Sequence, residues 1–241
     1  MHRFLVIAAL LAATSVWADE AQIRKALESR LGGAAIEGVQ PAPVQGLWEV
    51  RVRTDRGLRI LYTDPTAAHV IDGNIHDLRT NRDLTGERLR KLTAIKFESL
   101  PFDLAVKVQR GNGKRVLAMF SDPYCPACRT FERSLAQIDD ITVYVFMYPV
   151  IRPENIDHSR AVWCSTDRAK AWLELAAAPQ PRIPQASPAC PNPVDRVLDV
   201  GQKLGVNSTP TLFFADGERL TGGLGPAQLK EMLDRTATAR R

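Results

Sequence analysis

The stretch Phe120-Ser121-Asp122-Pro123-Tyr124-Cys125-Pro126-Ala127-Cys128 decides the fold. Val116 to Phe120 reads as a strand, and the residues after Cys125 put Phe131 and Leu135 on one face of a predicted helix. Two thiols three positions apart at such a junction are not equivalent. Cys125 sits at the exposed helix N-terminus, where unpaired N–H groups and the helix dipole favour a thiolate. Cys128 lies one turn deeper, shielded, and within reach of any mixed disulfide that Cys125 forms. Cys125 is therefore read as the nucleophile and Cys128 as the resolving thiol. Pro126 removes one N–H and stiffens the turn. A Cys-x-x-Cys also serves zinc knuckles and inert disulfides, but the order strand, dithiol, helix in an exported chain points to redox chemistry. Asp122 either modulates the dithiol or only serves helix entry, and both readings stay open.

Outward from the dithiol, strands and helices alternate. Leu104 to Val108 and Val116 to Phe120 flank Gly111-Asn112-Gly113, which predicts a hairpin. Ile141 to Tyr148 is almost continuously apolar, as in a buried central strand. Pro153 to Gly201 reads as largely helical, interrupted by the proline-rich stretch Pro179 to Pro193. Thr211 to Phe214, the turn Asp216-Gly217 and Arg219-Leu220 make a last hairpin. Pro226 then opens a final helix that buries Leu229, Met232 and Leu233.

Four cysteines allow three pairings. Cys164 and Cys190 flank the proline-rich excursion without a Cys-x-x-Cys neighbour, and they read as a structural disulfide. Closing such a loop is worth roughly 3.5 kcal/mol in the chain-entropy model. A zinc site of all four cysteines is the sharper alternative. Ser208-Thr209-Pro210-Thr211 precedes the last hairpin. In a thioredoxin fold the proline at this place is cis and faces the dithiol, which turns the Thr209 backbone outward to pair with an extended substrate. The alternative is an ordinary trans proline opening a strand. Gly222-Gly223-Leu224-Gly225 lacks the context of a dinucleotide loop, and His69, His76 and His158 have no metal-ligand spacing. No cofactor and no metal is expected.

The N-terminus has the layout of a signal peptide. Met1-His2-Arg3 precedes the apolar run Phe4 to Ala13, and Val16 and Ala18 suit cleavage after Ala18. Removing those 18 of the 241 residues leaves 223, and the formal charge falls from +5 to about +4 as Arg3 departs. The remaining basic residues are scattered, which argues against a nucleic-acid partner. Export implies an oxidising compartment. From residue 19 to about residue 80 the chain reads as a small strand-rich unit. A short helix is expected over Gln22 to Leu31, followed by strands in which Trp48, Val50 and Val52, then Leu58, Ile60 and Tyr62, alternate with polar residues. Another strand is expected near His69 to Ile71. So small a unit buries little core, and self-association is one remedy. Asn81 to Glu98 is expected to be a helical spacer that Pro101 ends.

With these segments on the page, the chain resembles the periplasmic disulfide-isomerase family of the DsbC and DsbG type, and DsbC more closely. The likeness rests on Gln40-Pro41-Ala42-Pro43-Val44, Phe120-Ser121-Asp122, Ala161-Val162-Trp163-Cys164, Ala189-Cys190 and Leu204-Gly205-Val206-Asn207-Ser208-Thr209-Pro210. It implies an α+β protein with a small cystatin-like N-terminal dimerisation domain (19–80), a linker helix (81–99) and a thioredoxin-fold catalytic domain with a helical insertion (100–241). It also implies a V-shaped periplasmic homodimer with chaperone-like substrate binding. Its partners would be misfolded, disulfide-containing exported proteins and a membrane reductase of DsbD type. The site residues so implied are the catalytic Cys125 and Cys128, the substrate-binding Thr209 and Pro210, and the structural pair Cys164 and Cys190. One departure stands out: DsbC typically carries Gly-Tyr where this chain has Pro126-Ala127, so the resemblance does not fix the redox potential. Other readings of the dithiol are a client-specific reductase or oxidase, a holdase dimer without catalysis, and a metal-delivery protein.

Overall fold

The computed structural model describes residues 15–239 except residue 56. Most of the expected signal segment, 1–18, thus lies outside the described residues. The chain forms two compact units, Met1–Leu89 and Arg90–Arg241. Among the described residues no helix is long and apolar enough to cross a membrane.

The first unit packs helix α1 (Ser15–Glu28) on an antiparallel sheet of β1 (Ala35–Pro41), β2 (Trp48–Thr54), β3 (Gly57–Thr63) and β4 (Val70–Ile71), in that spatial order. The expected helix over Gln22 to Leu31 starts earlier and stops at Glu28, short of Gly32-Gly33. Ile23 and Leu27, one turn apart, meet Val39, Trp48, Val50, Val52 and Leu61 in one core. The alternation in β2 fails at Glu49, which is only 2% exposed, because Arg88 Nε lies 3.3 Å from its carboxylate. Strand β1 carries no period-2 signal; its register shifts between Ile36 and Gly38, a bulge that accommodates the Arg51 side chain against Gly38. A two-residue ladder of β5 (His76–Asp77) and β6 (Arg82–Asp83) then leads to α2 (Leu84–Leu92). This helix is much shorter than the spacer expected over 81–98. Asn81 has a left-handed φ of 52°, and Asp83 Oδ1 accepts from Gly86 N at 2.9 Å, so the helix starts only after Asp83. At its other end the Ile95 N–H bonds the Gly217 carbonyl instead of continuing the helix.

The second unit is a five-stranded mixed sheet with helices on both faces. Its strands are β7 (Val106–Arg110), β8 (Arg115–Ser121), β9 (Ile141–Met147), β10 (Thr211–Phe214) and β11 (Arg219–Thr221), in the order β11-β10-β8-β9-β7. The hairpin expected between the two strands flanking Gly111-Asn112-Gly113 does not form. Arg110 and Arg115 both pair with Ile141, because β9 inserts between them, antiparallel to β7 and parallel to β8. The glycines do turn the chain, but Asp140 at the start of β9 takes the loop instead, accepting from Asn112 N at 3.0 Å. A strand apolar on both faces is stable only with strands on either side, and that outweighs a local turn signal.

Side chains along these strands point alternately to two cores. Leu117, Met119, Val143, Val145, Leu212 and Phe214 face α3 (Pro126–Leu135), the later helix α7 (Pro226–Ala239), and Val162 and Trp172 of the connecting segment. Ala118, Phe120, Phe146 and Phe213 face short 3₁₀ turns at Phe97–Ser99 and Phe102–Leu104 and the helix α6 (Val194–Lys203). Between β9 and α6 the chain forms α4 (Ile156–Cys164), α5 (Arg168–Trp172) and a π-helical turn, Leu173–Ala177. The irregular stretch that follows is tied back by a disulfide between Cys164 and Cys190, with Cα atoms 5.9 Å apart.

Candidate active site

The dithiol stands where β8 hands over to α3. Cys125 is the N-cap of α3 and Pro126 its first residue, a position whose missing N–H costs no helical bond. The turn is held from below by Asp122. This carboxylate is fully buried and accepts from the N–H groups of Tyr124, Val150 and Ile151, each at 2.7 Å. Its carbonyl accepts from Cys125 N at 3.2 Å. Of the two readings left open for Asp122, the contacts describe a clamp that joins the dithiol turn to the loop after β9.

Cys125 and Cys128 are both free thiols. Their sequence neighbours Pro126 and Ala127 are exposed, yet Cys125 is only 5% exposed and Cys128 1%. The expectation of an openly exposed Cys125 is therefore corrected. The peptide bond Thr209-Pro210 is cis, and the loop carrying it lies over the thiol, so Cys125 Sγ donates to the Thr209 carbonyl at 3.3 Å. Cys128 sits among deeper groups. Burial pushes its thiol up to about 12, against the opposing pull of the Ser121 hydroxyl, the Asp122 main chain and the Thr209 hydroxyl, while Cys125 adds a smaller push upward. At neutral pH Cys128 is thus a neutral thiol and no rival for a first attack.

Cys125, Cys128, Thr209 and Pro210 therefore meet in one place, whereas Cys164 and Cys190 form a separate bridge. Several neighbours had no role assigned from sequence. Tyr124 hydrogen-bonds His158 Nδ1, and Arg152 lies 5.8 Å from the Tyr124 ring centre. Arg129 donates to the carbonyls of Leu175 at 3.1 Å and Ala178 at 2.6 Å, fastening α3 to the π-helical turn. Glu132, 2% exposed, accepts from Trp172 Nε1 at 2.8 Å, and burial pushes its carboxyl above the ordinary range. Glu132 shares the buried helix face of Cys128, Phe131 and Leu135, a pattern visible in the spacing alone. The contacts of His158 and Arg152 come from distant segments and leave no such trace. Among the described residues no group of three or more His, Cys, Asp or Glu side chains is placed to hold a metal ion.

A dithiol at a helix start, facing a cis-proline loop on a five-stranded mixed sheet, defines a thiol–disulfide oxidoreductase of the thioredoxin fold. A thioredoxin-like domain model matches residues 102–237, and the model of the disulfide bond isomerase N-terminal domain matches residues 14–86. A probable thiol:disulfide interchange protein DsbC of Bordetella pertussis is 40% identical over 211 residues, spanning 88% of this chain and 73% of the relative. The thiol:disulfide interchange protein DsbC of Haemophilus influenzae is 27% identical over 98% of this chain and all of its own length. The crystal structure of a disulfide interchange protein from Neisseria gonorrhoeae, 36% identical, superposes with a TM-score of 0.54 over 57% of this chain and 99% of that one. The chain belongs to the DsbC family of thiol:disulfide interchange proteins. It is an enzyme of disulfide exchange.

Proposed function

We propose that this protein isomerises wrong disulfides in exported proteins of the periplasm, with Cys125 as nucleophile and Cys128 as resolving thiol. The observation that carries this reading is the contact of Cys125 Sγ with the Thr209 carbonyl beside the cis-proline. It places the outer sulfur against a main-chain segment that an extended substrate can join as an added strand. The Cys125 thiolate attacks one sulfur of a substrate disulfide, forming a mixed disulfide and releasing the other substrate sulfur as a thiolate. That thiolate attacks elsewhere in the substrate, and the final exchange returns Cys125 unchanged, so isomerisation consumes no electrons. Trapped complexes are released by Cys128, which leaves an oxidised Cys125–Cys128 pair for a membrane reductase of DsbD type to reduce. Cys125→Ser is expected to abolish rescue of scrambled ribonuclease, and Cys128→Ser to accumulate mixed disulfides on a non-reducing gel. Rescue at the parent rate by Cys125→Ser would falsify the assignment.

A second reading, a reductase or oxidase serving one client, is favoured by one residue difference: Pro126-Ala127 stands where Gly-Tyr is typical of DsbC. Equilibration with glutathione separates the two, since an isomerase must keep a usable reduced fraction.

The working molecule in this proposal is a homodimer joined through the N-terminal units, with a chaperone-like apolar surface. Three observations support it: the match to the DsbC N-terminal domain, the small core of that unit, and the exposed Val70 and Ile71 (45% and 50%) on its edge strand β4. Light scattering is expected to give twice the chain mass, and Ile71→Glu to shift it toward the monomer. A monomeric parent protein sinks the dimer.

A further inference from the structure

Cys128 presents a difficulty that the exchange chemistry leaves open. To resolve a mixed disulfide it must become a thiolate, and its surroundings strongly disfavour that charge. Among the described residues five buried side-chain polar atoms lack a hydrogen-bond partner, and Ser121 Oγ and Thr209 Oγ1 are two of them. An orphaned buried hydroxyl is costly in a folded protein and calls for an explanation. Both of these hydroxyls act on the Cys128 sulfur and pull its pKa down, and neither has another hydrogen-bond partner in the protein. Ser121 is the last residue of β8 and is 1% exposed; its carbonyl accepts from Tyr148 N at 2.9 Å, which fixes the backbone below the thiol. Ser121 and Cys128 are both cut off from bulk solvent, so a charge formed there is met by donors already in place.

We propose that the Ser121 hydroxyl is a dedicated donor to the Cys128 sulfur, idle while that sulfur is protonated and engaged when it becomes the attacking thiolate. The inference rests on the assignment of Cys128 as resolving thiol. In the step concerned, Cys128 loses its proton and its sulfur attacks Cys125 Sγ. The Cys125–Cys128 bond forms, the bond from Cys125 to the substrate sulfur breaks, and the substrate sulfur leaves with the electron pair and takes up a proton. The substrate is reduced by two electrons and the dithiol is oxidised by two. Ser121 supplies neither proton nor electrons; it stabilises the charge on sulfur. Thr209 acts on the same atom, but it also faces Cys125 through its carbonyl, so Ser121 is the cleaner test.

Stopped-flow mixing of the reduced full-length protein with dithiobisnitrobenzoate separates the two sulfurs. The first thionitrobenzoate released reports attack by Cys125, and the second reports resolution by Cys128. Ser121→Ala and Ser121→Val are expected to slow the second release about tenfold at neutral pH and to move its pH midpoint up by about one unit. The first release should stay at the parent rate, and Ser121→Thr should restore the second. Thr and Val occupy nearly the same volume, so a difference between them reads the hydroxyl and not the packing. Equal second-phase rates in the Thr and Val variants overturn the proposal. Loss of the first phase in the parent protein instead overturns the Cys125 assignment and leaves the role of Ser121 without a reaction to serve.

Discussion

At the scale of single residues, burial separates the roles of groups that the sequence presents as similar. Cys128 is held up at about 12 by burial, so in a Cys125→Ser background its thiol should resist iodoacetamide through neutral pH and react only in strong alkali. Fast alkylation at neutral pH contradicts the environment described. Glu132 behaves in the opposite sense to a surface carboxylate. Burial favours its neutral acid, so the folded protein holds this proton more tightly than the unfolded chain does. Stability is therefore lost as pH rises from the ordinary carboxyl range toward the higher folded value. Glu132→Gln keeps an acceptor for Trp172 and removes the charge. Urea melts across that range should show a flatter pH dependence, with no loss of stability at neutral pH. Asp122 is the contrasting case, a buried carboxylate that accepts from three main-chain N–H groups. Asp122→Ala is expected to cost about 3 kcal/mol and to slow the first exchange step, because the turn under Cys125 loses its clamp.

Elements are coupled here by side chains that cap each other's ends. Arg129, next to Cys128, reaches the Leu175 carbonyl inside the π-helical turn and the Ala178 carbonyl just past its end. That turn opens onto the stretch closed by Cys164 and Cys190. The bridge therefore steadies the segment on which α3 leans. Cys164→Ala with Cys190→Ala should lower stability by roughly 3.5 kcal/mol, read by denaturant unfolding under non-reducing conditions. Stability within about 1 kcal/mol of the parent indicates that the reduced loop is already constrained. The sheet depends on β9 in the same way. Its insertion between β7 and β8 brings Phe146 into stacked contact with Phe120, ring centres 4.8 Å apart, on the sheet face that packs against α6.

Across the whole molecule the two units have separate cores, one built on Ile23, Leu27, Val50 and Leu61, the others on the five-stranded sheet. Separate cores predict separate unfolding transitions. Leu27→Ala should lower the midpoint of one transition, and Phe120→Ala should destabilise the other unit by about 3–5 kcal/mol and lower its midpoint. A single coincident transition shifted by both variants refutes that independence.

The dithiol's place at a strand-to-helix junction was legible in residues 116–135, because the strand period and the helix period change on either side of it. So were the last hairpin and the final helix, each marked by its own turn or cap residues. Local signals misled where a distant segment had the final say. Gly111 to Gly113 turn the chain, but only the fold decides that β9 enters the gap. Glu49 reads as an outward residue until Arg88, 39 positions on, meets it. The degree of burial of Cys125 and the orphaned hydroxyls of Ser121 and Thr209 were likewise beyond reach of the sequence. They follow from the loop around residue 209 lying over residues 121–128, and sequence patterns carry periodicity along one segment but not the distance between two. The sequence alone determined which sulfur chemistry this protein performs; the tertiary structure decided how dry the inner sulfur is and which groups are left to meet its charge.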